Sequence, residues 1–157
     1  MKTVRRSRIQ EIQGRQRRPQ PVDPTAPGRL RAEQRIGPAV VAAALAAVLS
    51  AIAWGALTLA SRYGFAVVAL GVGAVCGGAV QRAGHGIEGR FQTVAVVAAV
   101  LAVVLGDAWI GLLDLYTLLF AVVAGGPAHY FALRRLTEAE ATALWRERMG
   151  FLDRPPQ

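Results

Sequence analysis

The chain has one cysteine, one lysine and two histidines among 157 residues. A single cysteine, Cys76, makes no internal disulfide and no cysteine-rich metal site, so disulfide scaffolds and zinc modules are excluded. His85 and His129 have no further histidine, cysteine or carboxylate at ligand spacing, so no metal site is assigned. No serine or cysteine lies in a context that would activate a nucleophile. The expectation is a protein that is not an enzyme, with no catalytic residue and no cofactor. Gly71-Val-Gly-Ala-Val-Cys76 has the outline of a dinucleotide fingerprint. Cysteine, however, stands where the third glycine belongs, and no strand precedes it.

Charge is also missing from long stretches. Pro38 to Ser61 and Phe91 to Gly106 hold no ionisable residue. Tyr63 to Gln81 holds only Tyr63 and Cys76, and Leu115 to Ala128 only Tyr116. A soluble domain of this size would interrupt such runs with charge. About 20 apolar residues at about 1.5 Å rise each cross a hydrocarbon core of about 30 Å, and in lipid each backbone amide must find its partner within its own helix. The fold class expected is all-α: an integral membrane four-helix bundle with spans at about 38–60, 65–80, 91–109 and 112–133.

What the chain does have is arginine, seventeen residues of it, and a formal charge of +8. Abundant Ala, Val and Gly with so little Lys suggests a GC-rich bacterial genome. Residues 1–37 carry ten basic side chains against Glu11, Asp23 and Glu33. Pro19, Pro21, Pro24 and Pro27 make this tail extended, and its scarcity of large apolar residues predicts disorder in isolation. Residues 136–157 are expected to form a short cytosolic helix to about Met149, opened by a Thr137-Glu-Ala-Glu140 capping box and stopped by Gly150.

Counted by segment, basic residues number ten in the tail, two in the Gln81–Arg90 joint and five after the fourth span. Arg62 alone lies in the joint opposite. The positive-inside rule then puts both termini in the cytoplasm of a bacterial inner membrane, with four crossings. A cleaved signal peptide is the rival for the first span, but that run starts about thirty residues after Arg5-Arg6 and is too long for a signal core.

Within the spans, small residues recur at steps of three and four. Ala66, Ala69, Gly73 and Gly77 form one stripe, with Gly71, Ala74 and Gly78 beside it. Gln92, Ala95, Ala99, Ala102 and Gly106 form a second stripe, and Asp114, Thr117, Ala121, Ala124, Gly125 and Ala128 a third. Small residues let membrane helices approach closely, so Gly73, Gly77, Ala95, Ala99, Ala102, Ala121 and Gly125 are expected packing positions. The second span, small on two faces, is expected to be the most enclosed. Asp114 is a candidate intramembrane polar site, either capping its helix or pairing with Arg62.

The second hairpin resembles that of a group of uncharacterised small bacterial membrane proteins. In these, a glycine-rich helix ends in an Arg-Gly-x-Gly type joint and a Gln/Ala-containing helix follows. The residues that carry the resemblance are Gly73, Gly77, Gln81, Arg82, Gly84, Gly86, Arg90, Phe91, Gln92 and Ala95. The resemblance implies a four-span fold and no known activity. The first span lacks the acidic residue that small multidrug transporters carry.

The expected function is a non-enzymatic membrane scaffold or accessory subunit. Its basic segments, Arg5, Arg6, Arg8, Arg15, Arg17 and Arg18 among them, would contact anionic lipid or a partner. The partner could be a larger membrane complex or a second copy of the chain. Nucleic acid is disfavoured, because the tail has no aromatic side chain to stack on bases. The alternative is a small oligomeric channel or transporter using Asp114.

Overall fold

A computed structural model describes residues 23–61 and 66–150. Among these residues there are six helices and no strand. They are α1 (Ala26–Ala32), α2 (Ile36–Ser61), α3 (Ala66–Gly84), α4 (Gly89–Ile110), α5 (Leu115–Phe131) and α6 (Glu138–Arg148). The chain divides into two compact units: Leu30–Arg135, and the two flanks Met1–Arg29 with Leu136–Gln157.

Helices α2, α3 and α4 are each long and apolar enough to cross a membrane. The fourth apolar helix, α5, has 17 residues and is shorter than the expected 112–133. Its start is set by Asp114, whose carboxylate accepts the Thr117 N–H at 3.1 Å. Residues 111–113 are used to end α4. Gly111 adopts φ +73°, its N–H reaches Ala108 O, and the Leu112 N–H reaches Asp107 O. That pair of bonds satisfies the last carbonyls of α4, and only glycine takes this φ cheaply.

In the larger unit α3 and α4 each pack against both other long helices, while α2 and α5 stand across the diagonal. Alanine dominates the buried positions: Ala43 and Ala47 on α2, Ala95, Ala99 and Ala102 on α4, Ala121, Ala124 and Ala128 on α5. Large apolar side chains face outward instead. Leu49 and Leu59 are 68% exposed, Val67 71% and Leu115 80%. Water would not tolerate so much contiguous apolar surface on a monomer, whereas lipid would. The pattern is inverted relative to a soluble bundle, with small residues between the helices and large apolar ones outside, the arrangement that close packing in lipid favours.

The α3–α5 seam is the tightest. A Cβ on Gly73 would strike the Ala124 carbonyl oxygen, and one on Gly77 would sit 2.7 Å from Ala128 O. A second close approach joins α2 to α4. A Cβ on Gly106 would sit 2.8 Å from Ala51 O, and one on Gly55 2.9 Å from the Trp109 ring.

Three expectations are corrected. The tail is not unstructured up to Gly37: α1 occupies Ala26–Ala32 and α2 begins at Ile36. A turn nucleates α1, in which the Asp23 carboxylate accepts the Thr25 N–H at 2.9 Å and the Thr25 hydroxyl at 2.7 Å. Pro27 is tolerated because it lies in the first helical turn. Second, the most enclosed long helix is α4, with 39% of its apolar window buried against 33% for α3. Third, a Cβ added at Gly71 would meet no neighbouring element within 4 Å. The row buried beside Ala69 and Gly73 is Val72, Cys76 and Val80, since α3 turns a bulkier face to its neighbours than glycine frequency suggested. Residues 1–22, with Arg5, Arg6, Arg8, Arg15, Arg17 and Arg18, lie outside the described residues, as does Arg62.

In the smaller unit, Thr137 caps α6 with both capping-box bonds present. The helix ends before Gly150, at φ +69°. Arg29 approaches Glu140 at 4.0 Å. The two bonds from Thr25 hold the Asp23 pKa below the usual carboxylate value, and Arg29 adds to the effect.

Candidate functional site

The joint between α3 and α4 organises one end of the larger unit. Phe91 is fully buried at its centre. A Cβ on Gly84 would sit 2.6 Å from the Phe91 ring, and one on Gly86 would overlap it, so the backbone can wrap this ring only because both residues are glycine. His85, between them, takes φ +47°, a conformation few side chains adopt but histidine tolerates better than most.

Wrapped in this way, the joint offers its carbonyls to the two segments that flank it. The Arg35 N–H donates to Gly84 O and the Arg134 N–H to Gly86 O, each at 2.9 Å. Gln81 Nε2 donates to Leu133 O at 2.8 Å. Side chains reinforce the same junction. Arg134 pairs with Glu33 at 2.6 Å, Gln34 donates to Glu88 at 3.2 Å, and Arg90 pairs with Glu88 at 3.0 Å. Arg35, Arg82, Arg90 and Arg134 therefore lie at one end of the larger unit.

A cleft of about 740 Å³ opens there, and its lining includes Arg35, Arg82, Arg134, His85, Gln81 and Glu33. Glu33, its one carboxylate, is engaged by Arg134. Among the described residues, the guanidinium groups of Arg35 and Arg82 have no carboxylate partner. A cleft with uncompensated guanidinium groups attracts anions, and a guanidinium grips phosphate or carboxylate through paired N–H donors.

Polar groups also occur at the opposite end. Asp114 is exposed and caps α5, and the Asp114 N–H in turn reaches Thr117 Oγ1 at 3.3 Å. Its carboxylate is thus occupied in ending a helix, at the N-terminus where the helix dipole favours negative charge. Asp107, within the expected third span at 91–109, is 5% exposed and accepts Trp54 Nε1–H at 2.7 Å. Trp54 also stacks edge-on against Phe120, with ring centroids 5.3 Å apart, and so ties α2 to both α4 and α5. A clue did exist in the sequence. An indole N–H inside an apolar run needs an acceptor, and Asp107 is the one carboxylate inside its run.

The expected packing residues divide by environment. Ala95, Ala99, Ala102 and Ala121 are buried, a Cβ on Gly73 or Gly77 would strike α5 backbone, and a Cβ on Gly125 would lie at ordinary contact distance, 3.6 Å, from Val96. His129 faces Gln92 at 3.1 Å. Among the described residues no group of three or more His, Cys, Asp or Glu side chains could hold a metal. No protein-family model, curated protein or solved structure matches the chain.

Proposed function

We propose that the protein is a non-enzymatic integral membrane scaffold or accessory subunit. In this reading all four apolar helices cross a bacterial inner membrane, and the arginine end faces the cytoplasm. There it engages the anionic headgroup layer, and the tail arginines Arg5, Arg6, Arg8, Arg15, Arg17 and Arg18 extend the same contact. The observation that supports this reading most is the backbone stapling of Arg35 and Arg134 to the α3–α4 joint. It brings the basic segments to one level, where the apolar runs end. Each basic residue near an anionic surface contributes about 1 kcal/mol of attraction. The exposed apolar faces of α2 and α5 leave room for a larger membrane complex.

Two measurements test the reading. In intact cells an impermeant thiol reagent should modify Leu113→Cys and spare Gly89→Cys. Labelling at position 89 would invert or break the topology. Purified protein in bicelles should be more heat-stable with phosphatidylglycerol than with phosphatidylcholine alone. That preference should shrink as salt rises, because surface attraction is screened over about 10 Å at about 0.1 M salt. Equal stability in both lipids at low salt would remove the electrostatic role.

A further inference from the structure

We infer that the cleft between the start of α2 and the end of α3 is a specific seat for one anionic phospholipid, with its phosphate between Arg35 and Arg82. The inference rests on the membrane reading above and narrows it from a charged surface to one site.

Three arginines and one glutamate line the cleft, and that glutamate is already held by Arg134. Two guanidinium groups are thus left for a ligand, enough to clasp a phosphate from two sides. Arg82 lies in the last turn of α3 and Arg35 just before α2, so both sit where apolar helix gives way to polar joint. That is headgroup depth.

The surface below the cleft separates a lipid from a soluble anion. On α3 a row descends from Arg82 through Gly78 and Val75 to Gly71 at steps of three and four. A Cβ on Gly71 would meet nothing within 4 Å, and one on Gly78 only the Arg82 guanidinium, at 3.5 Å. These glycines do not serve the fold's own packing. They leave low points on the outer face above and below Val75, itself 55% exposed and apolar, and Arg82 folds back over the upper one. On α2 a parallel row descends from Pro38, part of the cleft lining, to Val41 and Leu45, which are 60% and 61% exposed. A phosphate in the cleft with an acyl chain along these rows fits charge and shape together. A soluble phosphate would use the cleft alone.

Native mass spectrometry of the full chain in detergent tests this. Phosphatidylglycerol and phosphatidylcholine are the lipid probes, and inorganic phosphate is the soluble one. One phosphatidylglycerol should be retained at least tenfold better than phosphatidylcholine. Arg35→Gln with Arg82→Gln should abolish that preference. Arg146→Gln with Arg148→Gln removes equal charge from α6 and should change it less than threefold. Gly71→Leu fills the lower point, away from Arg82, where a Cβ would meet nothing within 4 Å, without altering charge, and should weaken retention about tenfold. Circular dichroism and gel filtration confirm that each variant is folded. Equal losses in the two arginine pairs would overturn the seat while leaving general charge attraction standing. No preference in the parent protein would overturn both readings. Millimolar phosphate that displaces the lipid completely, or an unaffected Gly71→Leu, would overturn the assignment to lipid.

Discussion

Gly73→Ala adds one methyl group where the structure has no room for it. The new carbon would collide with the Ala124 carbonyl oxygen and lie 2.9 Å from the carbonyl carbon and 3.2 Å from Cα. All three are backbone atoms of a helix, so no side chain can rotate away. At Gly77, one turn on, the shortfall can be read directly: 2.7 Å to Ala128 O where about 3.4 Å is ordinary contact, a deficit of about 0.7 Å. At Gly73 the deficit is larger, and α3 and α5 must part along their seam. Overpacking of this kind costs about 1–3 kcal/mol. Alanine recovers up to about 1 kcal/mol through its better helix propensity. The net expectation is a loss of about 1–2 kcal/mol. Gly71→Ala is the internal control, since it has the same chemistry on the same helix with nothing within 4 Å. It should be neutral or stabilising by up to about 1 kcal/mol. Denaturation by SDS in mixed micelles, followed by circular dichroism, measures both. If Gly73→Ala proves as stable as Gly71→Ala, the seam is looser than described and the packing argument fails.

Trp54→Phe removes the donor that serves Asp107 and should cost about 1–3 kcal/mol. A double-mutant cycle with Asp107→Leu should show coupling of similar size, and additivity within about 0.5 kcal/mol would mean that the bond contributes nothing. Asp114→Ala should cost about 1 kcal/mol through the lost cap, whereas Asp114→Asn, which can still accept from Thr117, should cost far less. Flux in liposomes that is lost in Asp114→Asn would restore the transport alternative. Asp23 has its pKa lowered, so its contribution to α1 is fully present above the ordinary carboxylate value of about 3.9 and is lost as pH falls through the lower folded value. Amide exchange in α1 should be steady from neutral pH to about pH 5 and lose protection at more acidic pH, whereas in Asp23→Asn this acid dependence should disappear.

The sequence made the long helices legible because charge is absent from them, and no other signal is so hard to disguise. In the small stripes, Ala95, Ala99, Ala102 and Gly106 of α4 and Thr117, Ala121, Ala124 and Ala128 of α5 are buried, whereas Asp114 is exposed and Gly125 half-buried. On α3 the same reasoning partly failed. Glycine and alanine fill two adjacent rows there, and spacing cannot say which row meets a neighbour. One did, through Gly73 and Gly77, while the other faces outward beside Arg82. Helix α1 was hidden by the prolines around it, although Asp23 and Thr25 spell a helix start. The Trp54–Asp107 bond joins residues 53 positions apart and depends on how α2 crosses α4. The cleft was out of reach for the same reason, because it needs the α2 approach, the α3–α4 joint and the α5 exit folded together.

On the proposed membrane reading, the unequal helix lengths bear on the bilayer around the protein. At about 1.5 Å per residue, the 26 residues of α2 extend roughly 39 Å, while the 17 of α5 extend roughly 26 Å. A hydrocarbon layer of about 30 Å matches neither. A long helix accommodates by tilting, and a short one draws the two leaflets together beside it. If both cross, the bilayer is thinner on the α5 side than on the α2 side, and the bundle carries a thickness gradient around its circumference. Such a protein would partition toward thin or compressible membrane. Lengthening α5 by one apolar turn should shift it toward thicker bilayers, without touching a single arginine.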